Sequence, residues 1–207
     1  MTHHPTTTKS AAPRDAGATR QRLLRAALEL FTAEGYRGTT TPILAQRAGV
    51  AEGTIYRHFK GKLELYNEVY RATQVWAEEL VEEVSAGEGR SPRGRLERVG
   101  SRLVQSAYRD PAAVQMLLAR PERGMLDPAS EQAAACFHAA IEQIVAEGKA
   151  AGAIRTGPAD LWASVWLELV CFTLHRVARR EWEPDQAQTG QTLAAAWAAI
   201  AAQPATS

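Results

Sequence analysis

Apolar residues recur at spacings of three and four along nearly the whole 207-residue chain, and no stretch keeps the two-residue alternation of a strand. The pattern predicts an all-α protein of about nine helices. The first runs from about Thr19, as its cap, to Glu34, with Leu23, Leu24, Ala27, Leu28 and Phe31 inward and Gly35 as its stop. Two short helices follow, then a long one over about 62–85 with the inward stripe Leu65, Val69, Ala72 or Thr73, Trp76, Leu80 and Val84. Residues 86–92 form a loop by composition. A fifth helix buries Leu96, Val99, Leu103 and Ala107, and a short sixth carries Val114, Met116, Leu117 and Leu118. After a loop at 121–128, the seventh spans about 129–151, with Gly148 and Gly152 marking its end. The eighth runs from 159 to about 181 and the ninth from about 185 to 202.

The most specific local signals lie at 39–66. Thr39, Thr40 and Thr41 are hydroxyl caps for a short helix, with Pro42 tolerated in its first turn. Ile43, Leu44, Ala45 and Ala48 form its inward face. Gly49 permits the positive φ of a sharp turn and Val50 plugs the crease. The next helix, 51–59, turns Ile55 and Phe59 inward, which leaves Thr54, Tyr56, Arg57 and His58 on other faces. Glycine costs roughly 1 kcal/mol in a mid-helix position, so Gly53 near the helix start points to close backbone approach by something outside, such as a phosphate or base edge. Lys60 and Lys62 open the long helix, where ammonium groups and free backbone donors favour a phosphate oxygen.

This layout resembles the helix-turn-helix of the TetR family of transcriptional regulators. The resemblance rests on Phe31, Gly35 and Tyr36; Thr39; Leu44-Ala45 and Ala48-Gly49-Val50; Gly53-Thr54-Ile55-Tyr56 with Phe59; and Lys62 with Leu65. Together these span 35 residues in one register. Two positions depart from the common pattern: Thr-Thr-Thr-Pro opens the second helix, and Ala51 stands where a capping serine is usual. The resemblance implies three parts: a flexible arm over 1–18, a helix-turn-helix DNA-binding domain over 19–64, and a helical effector-binding and dimerisation domain over 65–203. It implies double-stranded DNA as a partner, a second copy of the chain, and a small apolar or amphipathic effector. The DNA-binding surface would comprise Thr39, Thr40, Thr41, Ala51, Glu52, Gly53, Thr54, Tyr56, Arg57, His58, Lys60 and Lys62. Tyr56, His58 and Lys62 are phosphate-positioning by analogy, while Thr54 and Arg57 are better placed for base edges.

Charge agrees with one end touching nucleic acid. Residues 1–70 carry 10 Lys and Arg against 6 Asp and Glu, a balance of +4, and the remainder carries 14 against 17, a balance of −3. Lys9, Arg14 and Arg20 of the N-terminal arm could reach a groove or belong to a disordered tail. Residues 1–18 lack the apolar core of a signal peptide, and the longest weakly apolar run, 193–202, is too short to span a bilayer, so a cytoplasmic location with no membrane partner is expected. Cys136 and Cys171 form no C-x-x-C pair and read as reduced, small apolar side chains.

Bulky residues from five helices could wall a ligand pocket or simply fill the core: Trp76, Leu103, Tyr108, Met116, Phe137, Ile141, Trp166 and Phe172. The eighth helix is apolar on more than one face, and the ninth sets a tryptophan among alanines. By the resemblance Leu161, Trp162, Val165, Leu169, Leu193, Trp197 and Ile200 form a four-helix dimer interface; the other reading makes the eighth helix the centre of the body. Glu168, Cys171 and His175 share a helical face and offer an alternative, a thiol- or metal-based sensor or enzyme. Three ligands on one helix seldom converge on one ion, so no catalytic residue, metal or cofactor is assigned. Arg176, Arg179 and Arg180 suit a helix C-terminus.

Overall fold

A computed structural model describes residues 13–86 and 91–203 of the protein. Among the described residues there are nine α-helices and no strand: α1 Pro13–Gly38, α2 Thr41–Ala48, α3 Glu52–His58, α4 Lys62–Ser85, α5 Pro92–Arg109, α6 Pro111–Leu117, α7 Pro128–Ala150, α8 Ala159–Ala178 and α9 Ala187–Ile200. They form two compact units that divide between Leu65 and Tyr66. Helix α4 begins in the first unit and continues into the second.

In the first unit α1 starts at Pro13, six residues before Thr19, so Thr19 lies inside the helix and is not its cap. Proline suits the opening position because the missing N–H would have no helical partner there. Lys9 and the side chain of Arg14 lie outside the described residues. The regular path of α1 breaks at Gly35, whose φ of 73° and ψ of 168° suit glycine almost alone. Leu23, Ala27, Leu30 and Phe31 of α1 are buried, as are Leu44, Ala45 and Ala48 of α2, Ile55 of α3 and Phe59 just after it. Ile43, expected inward, is 43% exposed.

The joint between α2 and α3 is built as the sequence predicts. Gly49 caps α2 in the left-handed region, φ 65° and ψ 42°, its N–H reaching the carbonyl of Gln46 at 3.1 Å while the Val50 N–H reaches that of Ala45 at 3.0 Å. The threonine caps are a correction. Thr40 holds the N-cap position of α2 with no side-chain capping bond. Thr39 turns its hydroxyl back onto the Gly35 carbonyl at 2.9 Å, and Thr41 donates to Glu52 Oε1 at 2.9 Å. Threonine hydroxyls readily serve such local acceptors instead of the helix start.

The second unit is a helical bundle. Its core joins Ala77, Leu80, Val81 and Val84 of α4 to Leu96, Val99 and Leu103 of α5, Phe137, Ile141 and Ile144 of α7, and Trp166, Val170 and Leu174 of α8. Helices α5, α6 and α7 follow caps that the sequence supplies: Ser91 accepts from the Gly94 N–H at 3.2 Å, Asp110 from Ala113 at 3.3 Å and Asp127 from Ser130 at 2.7 Å, each followed by proline. Gly148 does not end α7, which continues to Ala150; a Cβ there would stand 2.6 Å from Ile154 Cδ1. The residue is glycine because the next segment packs on it, and Gly152, at φ 69°, makes the turn. Ile154 and Ala201 then pair as an isolated antiparallel bridge that ties the α7 exit to the end of α9. Helix α8 stops at Ala178, short of the expected 181. By length and composition α8 is apolar enough to cross a membrane, yet one of its faces is part of the bundle core.

Candidate nucleic-acid interface and ligand cavity

The three-helix head holds α3 by burying Ile55 completely and Phe59 almost so, and this fixes which side chains face out. Ala51, Glu52, Gly53, Arg57 and Lys60 are exposed, as is Thr40, and Tyr56 is 57% exposed. Thr41, Thr54 and His58 are half-buried at its edge. Around Gly53 there is open space: a Cβ built on it meets no atom within 4 Å. Nothing inside the head therefore requires a glycine at this position. The α3 face thus offers hydroxyl, guanidinium and ammonium groups around a bare stretch of backbone.

Two expected contact residues are used internally instead. Thr39 is fully buried and its hydroxyl is bonded to Gly35, so it cannot reach a ligand outside. Lys62 sends its ammonium to the carbonyls of Tyr36 and Thr39, each at 2.8 Å, and lies 4.2 Å from the centre of the Tyr36 ring. It clamps the end of α1 to the entry of α2. Arg20 stacks over the Phe59 ring at 5.2 Å, so its guanidinium also has a role within the head. The Lys60 N–H is held by the Glu64 carboxylate.

In the second unit a cavity of about 420 Å³ opens between α4, α5, α7, α8 and the chain leaving α6. Leu103, Phe137 and Phe172, three of the eight residues expected to wall a pocket, line it. Trp166, Ile141 and Met116 are instead buried outside its lining. Trp76 lines a separate cleft with Glu79, Glu83, Arg102 and Arg109. Tyr108 lies at the surface under the Arg180 guanidinium, 4.2 Å from its ring centre. Sequence reasoning missed Gln74, Arg120 and His138 in the polar lining, whose signal is tertiary because three separate segments supply them; Glu168 and His175 stand on the same lining as polar contacts of the cavity.

Glu168, Cys171 and His175 do share this wall, but not as a reactive trio. Glu168 is paired with Arg120. Burial pushes the Cys171 thiol up to about 12, with the Glu168 charge adding to the shift, so it stays protonated at neutral pH. His175 is held below the usual histidine range by burial first, then by Arg179 and Arg120, which leaves it neutral. Among the described residues no group of three or more His, Cys, Asp or Glu side chains could hold a metal ion. Nothing in this arrangement supports the alternative of a thiolate or metal centre.

Residues 23–69, which cover most of this head, match the model of the bacterial regulatory proteins of the tetR family. Over these residues the chain carries the helix-turn-helix region of the TetR family. The chain is 46% identical over 66 residues to the HTH-type transcriptional regulator SrpR of Pseudomonas putida, a match covering 32% of this chain and 30% of SrpR. To the HTH-type transcriptional repressor KstR of Rhodococcus jostii strain RHA1 it is 32% identical over 101 residues, 47% of this chain and 45% of KstR. The chain thus spans less than half of the length of either relative. A TetR family transcription regulator from Marinobacter aquaeolei VT8 shares its fold, with a TM-score of 0.75 over 93% of this chain and 100% of that one, at 19% identity.

The seven residues expected at a TetR-type dimer interface divide three ways. Leu161 and Leu169 of α8 are 47% and 36% exposed. Trp162, Val165, Leu193 and Trp197 are half-buried and lean on the core. Trp162 donates its indole N–H to the Thr156 carbonyl at 2.9 Å, under the Arg155 guanidinium. Ile200 is fully buried within its own protomer and cannot present a surface.

Proposed function

We propose that this chain is a ligand-responsive, sequence-specific DNA-binding regulator, acting as a repressor, that holds a palindromic operator as a homodimer. The observation that carries the reading is the exposed α3 face: Gly53 with open space before it, flanked by Glu52, Thr54, Tyr56, Arg57 and Lys60 on a helix fixed by Ile55 and Phe59. Arg57 and Thr54 read base edges, while Tyr56, His58 and Lys60 position phosphates. The exposed leucines of α8, with Val165 beside them and Leu193 and Trp197 on α9, are the surface for the second subunit. KstR carries the name of a repressor, which supports the negative sign of regulation.

The cavity of the second unit is the effector site in this reading, and α4 is the element that feels it. Tyr70 and Gln74 of α4 line the cavity, and Gln74 donates to the Leu117 carbonyl at 3.3 Å. Two turns nearer the head, buried Asn67 donates to the Met125 carbonyl at 2.9 Å and accepts from the Asp127 N–H at 2.8 Å. Arg71 reaches Asp127 at 3.4 Å. Residues 117–120 touch the cavity and residues 125–127 grip α4, so a ligand that moves the first part of this segment pulls on the second. The effector must prefer the arrangement that does not fit DNA, and a coupling of about 1–3 kcal/mol is ordinary for such a device.

The test is titration of a labelled operator duplex at several salt concentrations, with the assembly state followed by analytical ultracentrifugation. A dimer touching roughly 6–10 phosphates loses about 10³–10⁵ fold in affinity between 50 and 200 mM salt. A flat salt response, or a monomer that binds as well as a dimer, contradicts the reading.

A further inference from the structure

Taking the cavity as the effector site, we propose that its ligand is an amphipathic organic anion, with its apolar body against Leu103, Phe137 and Leu174 and its acid group taken by Arg120 in place of Glu168. The cavity separates the two chemistries by depth. Leu103, Phe137 and Leu174 are buried by 97% or more, whereas Arg120, His138, Glu168 and His175 on the same lining are exposed. A ligand filling it therefore meets hydrocarbon at the floor and polar groups at the mouth, and about 420 Å³ accommodates a small organic acid.

The sign of the charge follows from what surrounds the mouth. Arg120 and Glu168 cancel one another as a pair. Arg179, one turn beyond His175, adds a second positive charge that the imidazole feels together with Arg120, against the single carboxylate of Glu168. Two arginines and one carboxylate thus stand around His175 on this side of the cavity. Gln74 does not compete, because its amide is already given to Leu117.

The Arg120–Glu168 pair is also easy to exchange. Both side chains are well exposed, 79% and 64%, and exposed pairs of this kind contribute little. An incoming carboxylate whose tail is seated in the cavity presents the same fork of oxygens to the guanidinium, at a fixed position and with less water around it. A cationic ligand would have to face Glu168 while two arginines repel it. A neutral one gains nothing from Arg120 beyond what water already gives.

Three probes of one chain length test this by calorimetry on the full-length protein without DNA: decanoate, decanol and decyltrimethylammonium. An exposed pair of this kind contributes up to about 1 kcal/mol, so decanoate should bind about two- to fivefold tighter than decanol, with the cation weakest. Arg120→Gln should erase that advantage while leaving decanol affinity unchanged, which also shows that the cavity is intact. Glu168→Gln should tighten decanoate by removing its competitor. Equal or tighter binding of decanol or the cation, or an advantage that survives in Arg120→Gln, overturns the anion assignment and leaves the effector site standing. Failure of all three probes to bind overturns both. Arg120-dependent binding of decanoate that leaves an operator complex intact supports the ligand class and overturns the effector role.

Discussion

Replacing Gly53 with alanine separates stability from recognition, because the two should move in opposite directions. In the free head the added methyl meets nothing within 4 Å, and the position lies in the first turn of α3 with no positive φ to preserve. Glycine is the costlier residue in a helix by up to about 1 kcal/mol, and a compatible Gly→Ala change gains about 0.4–1 kcal/mol, mostly by restricting the unfolded chain. At roughly 2–4 °C per kcal/mol for a protein of this size, the melting temperature should stay level or rise by about 1–4 °C. On DNA the same methyl stands between the α3 backbone and a groove surface. Loss of one close recognition contact costs about 1–3 kcal/mol per half-site, or about 5–150 fold in affinity. Thermal melting of the free protein and anisotropy titration of an operator duplex measure the two effects. An alanine variant that is as stable as the parent and binds the duplex equally well would refute the assignment of this face.

The paired lysines make a second contrast: Lys60→Ala should reduce the salt slope of DNA binding by about one contact with little change in melting, whereas Lys62→Ala should destabilise the head by about 1–2 kcal/mol through loss of its two carbonyl contacts. Gly148→Ala forces a methyl to within 2.6 Å of Ile154 Cδ1 and 3.1 Å of Pro92 Cβ, and should cost about 1–3 kcal/mol, seen as a melting temperature several degrees lower. Asn67→Ala should weaken the response of DNA binding to an effector more than it weakens DNA binding itself, measured by paired titrations with and without ligand. Cys171 should alkylate slowly with iodoacetamide at pH 8, its rate climbing only toward pH 12. Since its folded value lies above the ordinary 9.0, the stability tied to the protonated thiol is complete below pH 9 and is lost as pH rises from there toward 12.

Local chemistry made the head legible. Gly49 at a positive φ, and Ile55 and Phe59 inward, are consequences of a few adjacent residues, and the helix-turn-helix follows from them. Three threonines in a row gave no such guidance. Thr39 is buried and Thr40 exposed because the chain turns between them after Gly35, which composition alone does not reveal. In the body the helices and their order were readable from periodicity, but the cavity was not. Size drew attention to Trp166, Met116 and Ile141, the side chains that close packing places in the core, while the lining takes Gln74, Arg120 and His138 from distant segments. Ile200 failed as a surface residue for a similar reason: the Ile154–Ala201 bridge folds the α7 exit over the end of α9.

The most direct test of the central claim is selection of bound sequences from a random duplex library at 150 mM salt by the full-length chain, followed by competition of the winner against bulk DNA. The account predicts an enriched inverted repeat whose half-sites lie about one helical turn, 34–36 Å, or a multiple of it apart, and whose bases lose their preference in Arg57→Ala. Retention of the library without enrichment, or enrichment of a single unrepeated motif, would contradict a dimeric operator reader.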